Sequence, residues 1–577
     1  MSPPGTGVGT GPARRQAASP PPEAGPLEAR TLPKLFADRV GRSGSATALV
    51  PFRGDGSPAG EALSWTDWSE AARRFAAALT AAGHDPGEVV AVWADNRLAW
   101  PVSDVGTLLA AGVSLGLYPT SAPAQVRDRL AEAGARWLVV DTPERLRAVR
   151  EGAAGEGLEA VIAAGDAREA VRAGAGAPPA DGGAADGGYA GESAGAGEGP
   201  AVIGWDAWLD RGRRAREEGD ADRELERRRA GISPADTALL IYTSGSTGRP
   251  RAARISHRCA LASARSIRQV LGLGPEDSGI SYLPFCHAAE RITGHCTRIL
   301  CGMEAALVPD PSRVWDAARS YGPTFFGGVP RFFEKARDAL RDRQREAGGE
   351  EAERWRRTLE LGRRRSRLRR SGEPVPDDLE RAWREVGAGV RERARDVFGG
   401  RVRRLTSGGA ALAEEVAEYL DAVGLTVLGA YGLTEHLCVA MNRPDSYAFD
   451  TAGPPMPGTE IRIADDGEIL VRADELTFSG YLGRPDATRE AFTDDGDWLR
   501  TGDLGEIDER GHLAVRGRKK DVLALSTGKT VAPAPIEEAL ADRPWIGRAV
   551  LTGDGRKFVA ALVVPDRSAV LDWAREQ

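Results

Sequence analysis

The apolar run Leu239-Leu240-Ile241-Tyr242 leads into Thr243-Ser244-Gly245-Ser246-Thr247-Gly248-Arg249-Pro250-Arg251. Glycines without a Cβ let backbone N–H groups approach an anion, and Ser and Thr hydroxyls add donors, so a strand feeding this loop suits a polyphosphate. No Gly-Lys-Ser/Thr follows the glycines, which excludes a Walker A loop. Taken alone, the run reads either as a phosphate cradle or as a Ser/Gly turn.

Cys286, His287, His295, Cys296 and Cys301 form a second group able to do chemistry. Zinc needs ligands that converge tetrahedrally, and the adjacent pairs Cys286-His287 and His295-Cys296 tend to point apart, so a metal centre is the weaker reading. Asp503 in Thr501-Gly502-Asp503 reads by itself as a turn residue, and Arg518, Lys519 and Lys520 as a solvated basic turn.

Elements that could hold such residues are legible around them. Trp68 to Ala82 repeats apolar residues at helical spacing, while Val89 to Trp93 (VVAVW) and Trp137 to Val140 (WLVV) read as buried strands. Helix and strand in alternation predict an α/β fold. Residues 1–28, rich in Pro, Gly and Ala, read as a disordered tail. The Ala/Gly-dominated segment of about 152–199 reads as a flexible surface insertion. Arg211 to Arg229 reads as one solvated helix, and Ala336 to Arg395 as amphipathic helices.

With 577 residues, 41% of them hydrophobic, the chain can bury a large core and build more than one domain. A net charge of −7 with both signs intermingled leaves no basic face for nucleic acid. Five cysteines lack the dense framework of a secreted disulfide scaffold, and the N-terminus has Pro and Gly where a signal peptide needs an apolar run. With no transmembrane segment, these features predict a soluble, cytoplasmic protein, and composition leaves room for transient membrane contact.

The run YTSGSTGRPR (Tyr242–Arg251) resembles the phosphate-loop signature of the acyl-adenylate-forming superfamily, the AMP-binding enzymes. Further similar segments follow in that family's order: Tyr282–His295 (YLPFCHAAERITGH), Thr324–Lys335 (TFFGGVPRFFEK), Ser407–Leu412 (SGGAAL), Tyr431–Glu435 (YGLTE), Gly467–Tyr481 (GEILVRADELTFSGY), Trp498–Gly505 (WLRTGDLG) and Gly511–Asp521 (GHLAVRGRKKD). The match is to bacterial long-chain fatty acid–CoA ligases and runs from about Leu32 onward. It implies a large AMP-binding domain over about 29–516 and a small, incomplete α/β lid over 517–577. The implied reaction joins a fatty acid to ATP, giving acyl-AMP and pyrophosphate, and then transfers the acyl group to CoA. Loading of a carrier-protein thiol, or a nucleotide-binding homologue without catalysis, remain as alternatives.

By the same resemblance Thr243, Ser244, Gly245, Ser246, Thr247 and Gly248 hold the β- and γ-phosphates, Thr434 contacts the α-phosphate, and Glu435 helps hold Mg²⁺. Tyr431 lies against adenine, with Gly408, Gly409 and Ala410 as the opposite wall, and Gly432 belongs to the ATP-binding set. Asp503 takes the ribose hydroxyls, Arg518 the ribose or phosphate region, Lys520 the hinge, and His287 the substrate carboxylate. Two departures stand out. Pro250-Arg251-Ala252 replaces the usual Pro-Lys-Gly. The family's C-terminal lysine motif is not found after Val564-Pro565-Asp566, so a shortened gene product, slow adenylation or lost ligase activity is expected.

Overall fold

The computed structural model describes residues 28–154, 157–172, 199–243, 250–527, 529–531, 533–541, 543 and 545–576. The expected tail, most of the Ala/Gly segment, and Ser244 to Arg249 lie outside the described residues.

Val89–Trp93 is buried at every position, as a strand covered by helices on both faces must be. It sits fourth in a seven-stranded sheet of order Ala201–Gly204, Ala160–Ala163, Ala135–Val140, Val89–Trp93, Val113–Gly116, Thr237–Thr243, Arg251–Ser256. All neighbours are parallel except the last pair, an antiparallel hairpin in which Thr243 pairs with Arg251. That hairpin delivers both ends of the phosphate-type loop to one sheet edge.

A second, eight-stranded sheet runs Ala440–Met441, Val427–Tyr431, Arg404–Ser407, Phe325–Gly328, Ser278–Ser281, Glu304–Leu307, Thr47–Pro51, Leu63–Ser64, parallel in the middle and antiparallel at both edges. The largest apolar cluster joins Val90 and Val92 of the first sheet to Leu307 and Phe325 of the second through helices such as His257–Leu271. The helix Trp65–Ala81 begins three residues before the periodicity predicts, because Ser64 and Asp67 exchange side-chain to backbone hydrogen bonds in a capping box.

Four antiparallel strands follow: Ile461–Ile463, Glu468–Arg472, Trp498–Ile507 and Leu513–Arg518. The last of them carries this sheet past the boundary expected at 516. Beyond the turn Lys519–Asp521 come the hairpin Leu523–Ala524/Thr530–Val531, the helix Pro533–Ala541, the hairpin Ile546–Thr552/Ala560–Pro565 and the helix Arg567–Glu576.

Two sequence expectations change. The segment assigned to an insertion from 152 contains the buried strand Ala160–Ala163 and the helix Gly165–Arg172, because Val161 and Ile162 add an internal strand to the sheet despite their Ala-rich surroundings. The single helix expected over Arg211–Arg229 is two, Trp205–Glu218 and Ala221–Gly231, divided at Gly219 where the backbone turns extended. No described helix is long and apolar enough to cross a membrane.

Candidate active site

Parallel strands end where ligands bind in α/β sheets, because loops diverge there and leave a crevice. Arg404–Ser407 ends at Gly408, Gly409 and Ala410, and Val427–Tyr431 opens into Gly432, Leu433, Thr434 and Glu435. Gly409 adopts φ +84°, a left-handed conformation that glycine enters without a Cβ clash. A Cβ on Gly432 would sit 1.8 Å from the Leu437 carbonyl oxygen, so only glycine lets this loop fold back on itself. His436 fastens the loop from behind, its ring nitrogens lying 3.0 Å from the Thr477 hydroxyl and 3.1 Å from that of Thr459.

These loops meet in one cavity of about 1490 Å³. Thr243, Arg251, His287, Gly408, Gly409, Ala410, Tyr431, Gly432, Thr434, Glu435, Arg518 and Lys520 all line it. Segments nearly 280 positions apart in the chain are thereby brought to one place. Ser244, Gly245, Ser246, Thr247 and Gly248 lie outside the described residues.

Asp503 stands just behind that lining, 5% exposed, on the long strand Trp498–Ile507. Tyr431 donates its hydroxyl to Asp503 Oδ2 at 2.6 Å, and Arg518 Nε lies 3.0 Å from Oδ1. Burial pushes the Asp503 carboxyl up, opposed by the Tyr431 hydrogen bond and the Arg518 charge. Beneath it Glu468, 3% exposed, accepts from the Gly502 N–H at 3.0 Å and from Lys519 Nζ at 2.9 Å. Lys519 also reaches Asp466 at 2.6 Å, so the turn expected to act as a hinge at Lys520 is tied to the sheet by its neighbour.

Glu435 is held from the other side. Its Oε1 accepts from the Tyr481 hydroxyl at 2.5 Å, and its carbonyl accepts from the Phe478 N–H at 2.8 Å. The Arg251 guanidinium lies 5.4 Å from the centre of the Tyr481 ring, a cation–π approach. Arginine at this position therefore keeps the positive charge and sets it against an aromatic ring.

His287 Nδ1 accepts from the Ala289 N–H at 3.2 Å, so Nδ1 presents a lone pair and the neutral ring carries its proton on Nε2. Desolvation by the surrounding walls lowers its pKa, which favours that neutral donor form. His295 goes elsewhere: it lies 3.1 Å from Asp104 in a buried cluster with Arg291. The two histidines do not converge, and among the described residues no group of three or more His, Cys, Asp or Glu could hold a metal.

Tyr481 and Glu468 fall inside quoted segments but carried no assigned role in the sequence. The signal available was chemical, a carboxylate opening the apolar run Ile469 to Val471 and a phenol ending the motif.

A site at the strand ends, with Thr243 and Arg251 among its lining residues, a glycine wall and a buried carboxylate, has the form of an adenylate-forming enzyme. The chain belongs to the AMP-binding enzyme family, whose model matches residues 36–482, and the family's C-terminal domain matches 520–576. Among curated relatives, the long-chain-fatty-acid–CoA ligase FadD15 of Mycobacterium bovis is 31% identical over 534 residues, 88% of this chain and 79% of that protein. The long-chain-fatty-acid–CoA ligase heimdall of Drosophila melanogaster is 27% identical over 92% of this chain and 76% of its own length. Two solved structures share the fold. ATP-bound MatB from Rhodopseudomonas palustris has a TM-score of 0.64 at 22% identity, over 95% of this chain and 92% of its own. The anthranilate CoA ligase AuaEII, with anthranoyl-AMP, has 0.67 at 18%, over 95% and 90%.

Proposed function

We propose that this chain is a long-chain fatty acid–CoA ligase that works through an acyl-adenylate. The observation that carries this reading is one shared cavity: residues matching the nucleotide signature, His287 and the apolar side chains Ile267, Ile292 and Phe325 all line it. A fatty carboxylate held at His287 would sit between its tail and the nucleotide.

The chemistry needs positioning more than covalent help. A carboxylate oxygen attacks the α-phosphorus, the bond to the β-phosphate bridging oxygen breaks, and pyrophosphate leaves. In the second half-reaction the CoA sulfur attacks the acyl carbon and AMP leaves. His287 Nε2–H is the donor that would orient the carboxylate while leaving its second oxygen free to attack. Thr434 would contact the α-phosphate and Arg518 the ribose or phosphate region, with Thr243 to Gly248 around the β- and γ-phosphates. Asp503 would accept from the ribose hydroxyls, and Tyr431, Gly432 and Gly408 to Ala410 would enclose adenine. Lys520 would serve as the hinge between the large domain and the lid.

Mg²⁺ would be held by Glu435 with oxygens of the nucleotide. The Glu435 carboxylate lines the cavity and suits this hard cation, which is usually held by one or two carboxylates plus substrate phosphates. When bound it neutralises phosphate charge. The chain's own part is to fix the Glu435 carboxylate, which Tyr481 does. Five free cysteines, four of them buried, suit a reducing compartment such as the cytoplasm.

ATP–pyrophosphate exchange with Mg²⁺ and a panel of fatty acids tests the reading. Exchange dependent on long acids is expected, and subsequent CoA addition should give acyl-CoA and AMP. ATP binding without exchange would sink it in favour of a nucleotide-binding homologue, and acylation of a carrier protein in place of CoA would change the acceptor.

A further inference from the structure

The cavity's apolar lining is broken by charge. Glu290 and Arg298 line the cavity alongside Ile292 and Phe325, and they are only 4% and 5% exposed. Glu290 lies on the π-wound helix Ala289–Cys296, a rare geometry that recurs at functional sites. It faces the cavity, whereas its neighbour Arg291 turns away to Asp104, Ser114 and the Trp100 ring.

Glu290 Oε1 accepts from Arg298 Nη1 at 2.8 Å and from the Ser281 hydroxyl. Arg298 Nη2 donates to the Ile280 carbonyl at 3.2 Å, and Arg298 Nε has no hydrogen-bond partner among the described residues. Both side chains lie against glycines. A Cβ on Gly294 would lie 2.5 Å from the Glu290 carboxylate, and one on Gly279 would lie 2.8 Å from Arg298 Nε.

We propose that the buried Glu290–Arg298 pair is the end wall of the acyl chamber and sets the longest acyl chain the protein accepts. The proposal rests on the ligase reading above. Each methylene moved from water into apolar surroundings strengthens binding about fourfold. That gain stops at the pair, because a methyl end pressed against it would displace water from a charged couple and offer no hydrogen bond in return.

Binding of a homologous series of saturated acids, read by displacement of a fluorescent fatty acid, should therefore strengthen with length and then weaken abruptly. At the breaking length, the ω-hydroxy acid should bind about tenfold better than the methyl-ended acid, since only a hydroxyl can bond to the pair. Replacing both charges with apolar groups, Glu290→Leu with Arg298→Met, should move the break to longer acids in binding and in pyrophosphate exchange, with melting temperature as the check on folding. An unbroken rise in the wild type, or a preference for the methyl end at the break, overturns the proposal without any variant. A folded double variant with an unmoved break overturns it as well. Exchange without a break leaves the ligase reading standing and removes the wall; a break without exchange does the reverse.

Discussion

Tyr431 donates to Asp503 at 2.6 Å while Arg518 stands 3.0 Å from the other carboxylate oxygen. Both oxygens proposed for ribose are thus oriented by protein groups before nucleotide arrives. Such preorganisation lets binding proceed without the carboxylate having to be reordered.

Tyr431→Phe removes the hydrogen bond that holds the Asp503 pKa down against burial. The carboxyl then protonates at higher pH, so the acidic limb of kcat/KM for ATP should move upward in pH relative to wild type, with the alkaline side little changed. A pH–rate profile of pyrophosphate exchange measures this. An unmoved acidic limb would remove Asp503 from that titration.

Tyr481→Phe deletes the hydroxyl that fixes Glu435 Oε1. A hydrogen bond to a charged group is worth about 1.5–3 kcal/mol. The Mg²⁺ concentration for half-maximal exchange should rise about tenfold, and the thermal shift produced by Mg²⁺-ATP should shrink. If kcat alone falls at saturating Mg²⁺, the bond does not orient a metal ligand.

Gly432→Ala places a methyl against the Leu437 carbonyl oxygen, 1.8 Å away unless the loop moves. Displacing Thr434 and Glu435 by about an ångström should cost about 100-fold in exchange rate while circular dichroism stays that of the wild type. Retained activity would show that the loop relaxes without moving those two residues.

Acid should weaken the fold through histidine. Burial holds His84, His257 and His436 down at about 4. The unfolded chain takes up those protons near pH 6.5, so between 6.5 and 4 it binds more protons than the folded chain and stability falls as pH drops. At pH 5 each histidine contributes a loss of about 2 kcal/mol. Both ring nitrogens of His84 lack a hydrogen-bond partner among the described residues, so His84→Leu removes no bond and should flatten the decline in urea-unfolding free energy between pH 7 and pH 5. An equal decline in the variant would assign the acid sensitivity to other groups.

What sequence alone determined was local and chemical. Alternation of helix and strand, the all-buried Val89–Trp93, and the ordered signature segments predict an α/β adenylate-forming enzyme, because each depends on residues close together in the chain. Its failures were local as well: the Ala-rich text around Ala160–Ala163 hid an internal strand whose partners, Trp137 to Val140 and Ala201 to Gly204, lie outside that text. Tertiary structure alone decided which groups touch. Tyr431 meets Asp503, Tyr481 meets Glu435, and Arg291 meets Asp104 across 72, 46 and 187 positions. Neither periodicity nor spacing carries such pairings, since they are set by how separate sheets pack and by which buried polar groups must find partners when water is withdrawn.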